Sequence, residues 1–73
     1  MNDTAVKGHW KQIRVQAKEW WGKLTDDDLD MIDGKRDLLI KKLQERYGYT
    51  KERAAREVNA RLNDLEHALT KTH

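Results

Sequence analysis

The sequence predicts an all-α fold: four short helices arranged as two roughly orthogonal helical hairpins. Two observations carry that expectation. Apolar residues recur at steps of three and four along nearly the whole chain, the period that gathers side chains on one face of a helix. Punctuation is sparse, with no proline and glycine only at Gly8, Gly22, Gly34 and Gly48, and no segment between them reads as a strand.

The first helix is expected over residues 4–21, with Asp3 as its N-cap. Val6, Trp10, Ile13, Ala17, Trp21 and Leu24 mark its buried face. Gly8 weakens the first turns by up to ~1 kcal/mol relative to alanine, and Gly22 supplies the stop. Thr25 opens the second helix. Its hydroxyl can accept an orphan N–H of the first turn, and Leu24 and Leu29 hold the positions of a hydrophobic staple. Asp26, Asp27 and Asp28 then face the positive end of the helix dipole. This helix is short, stopping near Asp33, with Leu29 and Ile32 inward and Met31 partly buried.

Gly34 separates it from a third helix over residues 35–47, whose apolar face is Leu39, Ile40, Leu43 and Tyr47. Lys41, Lys42 and Arg46 crowd its C-terminal half, where the dipole favours cations, and Gly48 ends it. The fourth helix begins after Thr50, a second N-cap, with Tyr49 and Ala54 as its staple. Ala54, Val58, Leu62, Leu65 and Leu69 form its stripe to about residue 69, and residues 61–73 are expected as a frayed helix end. Short links force consecutive helices together, and the second helix is too short for a long parallel bundle; hence the steep crossing.

With 73 residues the chain is expected to be one domain, 1–73, near the lower size limit for folding alone. It has no cysteine, so neither a disulfide nor a thiolate metal site can support it, and three Trp and two Tyr supply much of the apolar area. Charged residues make up 38% against about 25% in ordinary domains. The net charge is only +2, a weak basic excess for a dedicated DNA binder. That small total hides a polar distribution: net +3 over residues 1–24, −5 over 25–34, +3 over 35–48 and +1 over 49–73. No apolar run approaches the ~20 residues of a membrane span, and the first residues lack a signal-peptide pattern, so a cytoplasmic location without membrane attachment is expected.

The chemistry-bearing residues argue against an enzyme. Asp26, Asp27, Asp28, Asp30 and Asp33 invite a metal reading, but their spacing does not fit a calcium loop, and helix capping accounts for them better. His9, His67 and His73 form no helical i, i+4 pair with one another and read as surface residues. The chain has no serine or cysteine to act as an activated nucleophile and no glycine-rich phosphate loop. No catalytic residue, metal ligand or cofactor is therefore expected.

What remains is binding. Trp20 and Trp21 are adjacent and so about 100° apart on a helix; both cannot face the core centre. Trp20 is expected half exposed and is the leading partner contact, with Arg14 and Lys18 on the same helix. Lys11, Lys41 and Lys42 are the candidate phosphate contacts of a weak nucleic-acid reading, which also draws on Arg14 and Lys18. The leucines at 62, 65 and 69 can pair with a second copy or pack onto the first helix; a monomer is expected over a homodimer.

One combination of segments is distinctive: Trp10-Lys11-Gln12-Ile13, then Lys18-Glu19-Trp20-Trp21-Gly22-Lys23-Leu24-Thr25-Asp26-Asp27-Asp28-Leu29, then Gly34-Lys35-Arg36-Asp37-Leu38-Leu39 and Gln44-Glu45-Arg46-Tyr47-Gly48. Over roughly residues 1–60 it resembles the CsbD-like family of small bacterial stress proteins, in its YjbJ-type branch. Trp20, preceding the family's tryptophan, and Val15, where glycine is frequent, depart from the pattern. The resemblance implies orthogonal helical hairpins similar to SAM domains and a link to general stress responses. It implies no catalytic residue and no cofactor. The functional expectation is a stress-associated helical protein that binds a macromolecular partner, with a hydrophilic protectant and a weak nucleic-acid binder as alternatives.

Overall fold

The computed structural model describes residues 3–70 and is all helical across them, with five helices: α1 (Asp3–Gly8), α2 (Trp10–Trp20), α3 (Asp26–Ile32), α4 (Arg36–Tyr47) and α5 (Lys51–Thr70). The expected first helix is thus two. His9 leaves helical geometry at φ −109°, ψ 16°, although its N–H still donates to the Ala5 carbonyl at 3.0 Å. Its own carbonyl accepts from Gln12 and Ile13, which starts α2. Gly8, the poorest helix former before the joint, makes the break inexpensive. Helix α1 also includes Asp3, expected as its cap.

The ends of the remaining helices follow local chemistry. Helix α2 stops one turn after Ala17, whose carbonyl takes the Trp21 N–H at 2.8 Å. Trp21 itself is the cap residue, with Gly22 in the turn beyond it. Between α3 and α4 the chain turns through two left-handed residues, Asp33 (φ 46°) and Gly34 (φ 80°). Gly34 is buried here, and a β-carbon on it would lie 2.9 Å from the Lys7 backbone, so α1 packs directly on this turn. Gly48 ends α4 in the left-handed region, and the Thr50 hydroxyl caps α5 by accepting the Arg53 N–H at 3.1 Å.

The core is the set of faces that the helical period selects. Val6, Trp10, Ile13, Ala17, Trp21, Leu24, Leu29, Ile32, Leu39, Ile40, Leu43, Ala54, Val58 and Leu62 are all buried. Tyr47 and Leu65 pack against this cluster while partly exposed; the side chain of Leu69 lies outside the described residues. Met31, expected partly buried, is instead 63% exposed, because α3 offers the core only the side that carries Leu29 and Ile32. Helix α4 packs against both α5 and α3, and α1 packs on α2.

Candidate functional site

Three polar features are built on this frame. The first is centred on Asp28, the only charged side chain buried among the described residues. Its carboxylate accepts the Thr25 N–H at 3.1 Å while its own N–H donates to the Thr25 hydroxyl at 3.1 Å, a reciprocal capping box at the start of α3. The same carboxylate receives two bonds from Arg46 on α4, Nε to Oδ2 and Nη2 to Oδ1, both 2.9 Å. The fork holds the Asp28 carboxyl far below the usual carboxylate range; burial opposes this, and the bonds from Thr25 reinforce it. Lys42 adds its ammonium 3.7 Å from Asp28 and 3.3 Å from Glu45.

The second feature is a ladder of ion pairs between α2 and α3. Arg14 meets Asp30 at 2.9 Å and Lys18 meets Asp26 at 2.8 Å. A step of four forward on α2 answers a step of four back on α3. On each helix, the residue that precedes a rung and the residue that follows it fall on opposite sides of the rung residue. Ile13 and Leu29, each preceding a rung, are fully buried; Val15 and Met31, each following one, are 60% and 63% exposed. The outer side of each helix at the ladder therefore carries one large apolar side chain, next in sequence to a member of the Arg14–Asp30 pair.

The third is a column of two stacked rings between two cations. Lys23 lies over Tyr47 at 5.1 Å, Tyr47 stacks on Tyr49 at 5.1 Å, and the Arg53 guanidinium lies 4.2 Å from the Tyr49 ring. The Tyr47 hydroxyl accepts the Lys23 backbone N–H at 3.2 Å, which fixes the α2–α3 link against the end of α4.

A family model described as CsbD-like matches residues 4–56. The chain belongs to this family. Among its relatives, a UPF0337 protein of Pectobacterium atrosepticum is 60% identical over 58 residues, covering 80% of this chain and 84% of that one. The UPF0337 protein YjbJ of Escherichia coli is 57% identical over 58 residues, with 80% and 84% covered, and a UPF0337 protein of Pseudomonas aeruginosa is 57% identical, with 80% and 89% covered. In this CsbD-like chain the matched span holds the whole Asp28 cluster, both rungs of the ladder and the cation–ring column.

The residues singled out from the sequence fall into three environments. Arg14 and Lys18 are the α2 side of the ladder. Trp20 is half-buried, packed against the core with its ring edge-on to Trp21 at 5.5 Å and 79°. Lys11 and Lys41 are exposed on different helices, α2 and α4, while the Lys42 side chain is only 16% exposed and engaged by Glu45 and Asp28. The acidic segment is largely matched within the chain: Asp26, Asp28 and Asp30 each hold a cation, and among the described residues no three His, Asp or Glu side chains converge as metal ligands. No helix of the described residues is long and apolar enough to cross a membrane. Sequence reasoning missed the Asp28–Arg46 link and the paired exposure of Val15 and Met31. The Thr-x-x-Asp spacing at residues 25–28 signals the capping box alone; nothing local signals the link to Arg46 or the exposure of Val15 and Met31.

Proposed function

We propose that this CsbD-like chain works by binding a protein partner on the outer side of the α2–α3 ladder, in the cytoplasmic, stress-associated role that the family resemblance suggests. One observation supports this above the others: Val15 and Met31, the exposed large hydrophobics of the described residues, each follow in sequence a member of the oppositely charged Arg14–Asp30 pair. Apolar side chains rimmed by charge are the usual make-up of a contact patch. Arg14, Lys18 and Trp20 then act as its border and support. We read the arrangement as two hairpins in the SAM-like manner, α2 with α3 and α4 with α5; the ladder and the α4–α5 packing favour it.

The test is a photo-crosslinking amino acid placed at Val15, Met31 or, as a control, exposed Lys51 in bacteria under stress. A discrete adduct at the first two positions that disappears on Trp20→Ala or Arg14→Glu supports the reading. Identical adducts from all three positions refute it. The hydrophilic-protectant reading, favoured by the 38% charge, predicts instead that a variant with a shuffled surface of equal composition protects cells equally well. The nucleic-acid reading is weaker, because Arg14, Lys18 and Lys42 already hold carboxylates.

A further inference from the structure

Helix α1 is held to the rest of the fold at two points. It has six residues, well under the ~12–15 at which a helix becomes even marginally stable on its own. Its helical form therefore depends on docking. Val6 is its contribution to the core, where it is fully buried. The second seat is the Gly34 turn: a β-carbon there would lie 2.9 Å from the Lys7 Cα, so the two backbones are in direct contact.

The joint to α2 is free to bend. His9 lies off helical geometry, and the Gln12 N–H, which in a continuous helix would reach Gly8, bonds the His9 carbonyl instead. Gly8 precedes it with no side chain to restrict the backbone. Space surrounds the joint as well. A cleft of about 580 Å³ opens there, lined by residues 7–12 and Asp33, and a β-carbon at Gly8 would meet nothing within 4 Å. Helix α2 meanwhile keeps anchors of its own, the buried Trp10, Ile13 and Ala17. The chain ahead of Trp10 can swing without drawing them from the core.

We propose that α1 is a latch, which opens and melts as a unit about Gly8–His9 while α2 to α5 stay folded. Opening lifts Val6 from the core, parts Lys7 from the Gly34 turn and bares the apolar seat of Val6. It forfeits the burial of one valine side chain and a few backbone bonds, and the freed segment regains chain entropy. That balance makes it a smaller step than global unfolding. The His9 N–H, bonded to the Ala5 carbonyl at 3.0 Å, is released in this step and so reports it.

The test is amide hydrogen exchange on the full ¹⁵N-labelled chain, repeated at urea concentrations below the unfolding transition. His9 is expected to be protected, but about tenfold or more less than Leu43 and Val58 inside α4 and α5. Its protection should be nearly independent of urea, because a local opening exposes little surface, whereas Leu43 and Val58 follow the full slope of global unfolding. Val6→Ala should abolish protection at His9 and leave Leu43 and Val58 protected. Equal protection and an equal urea slope at His9 and Leu43 would mean that α1 opens only with the whole molecule, and overturns the proposal. So does an unprotected His9 in the wild type, since α1 is then not docked, or loss of protection throughout the chain in Val6→Ala.

Discussion

Asp28 and Arg46 meet through two parallel 2.9 Å hydrogen bonds, one residue at the start of α3 and the other in the last turn of α4. Each also suits its own helix end: the carboxylate lies at a positive dipole end, the guanidinium at a negative one. A local capping device and a long-range clamp thus share one carboxylate. Asp28→Asn keeps the shape and removes the charge. Because the guanidinium is half exposed and screened, the expected loss is about 1–2 kcal/mol, read from urea unfolding at neutral pH.

Acid provides the companion prediction. The folded-state pKa of Asp28 is depressed, so its stabilising contribution is complete above the unfolded-state value of about 4 and declines as pH falls below it toward the folded value. Unfolding free energy of the wild type is expected to fall between about pH 4 and pH 2, and Asp28→Asn to show a shallower acid limb. Equal acid sensitivity in both proteins would separate Asp28 from the effect.

The Thr25 hydroxyl gives the other half of the capping box. Thr25→Ala is expected to cost about 1 kcal/mol and Thr25→Ser much less. In a domain of this size that is a drop of roughly 4–8 °C in Tm per kcal/mol, measured by circular dichroism. A Thr25→Ala/Asp28→Asn pair should be non-additive, since the two residues bond each other.

Two glycines should respond oppositely to alanine. Gly34 combines a φ of 80° with the Lys7 backbone 2.9 Å from an added β-carbon, so Gly34→Ala should lower Tm and loosen α1. Gly8 has open space around it and no left-handed φ; Gly8→Ala should stabilise by about 0.4–1 kcal/mol. Matched thermal melts compare the two directly.

Lys18 holds the carboxyl of Asp26 below its ordinary range through a hydrogen bond and its charge. Lys18→Gln should return the Asp26 titration, followed by carboxyl NMR, toward an ordinary aspartate. The pair is exposed, so high salt should move it in the same direction in the wild type. An unchanged Asp26 in both conditions would mean the rung is not formed in solution.

The sequence by itself determined the all-helical class, the buried faces and the helix ends at Thr25, Gly48 and Thr50, because each depends on neighbours within a turn or two; the break at His9 and the cap at Trp21 were not legible in it. The three- and four-residue steps pick out Val6 to Leu24 on the N-terminal helices and Ala54 to Leu62 on the last, and every one of those residues is buried. Thr25, Gly48 and Thr50 act as their residue types dictate. Only the tertiary structure decided what happens between helices. Asp28 reads as one more dipole charge until α4 brings Arg46 to it, 18 residues away. Lys42 reads as a free cation, with Glu45 one turn along its own helix, until the same packing brings the Asp28 carboxylate to 3.7 Å from it. The exposure of Met31 and Val15 and the cleft at His9 likewise depend on which side of a short helix its neighbours cover. Period and propensity specify a helix and its apolar stripe; they do not specify the relative rotation of two helices, and that rotation decides which polar groups meet.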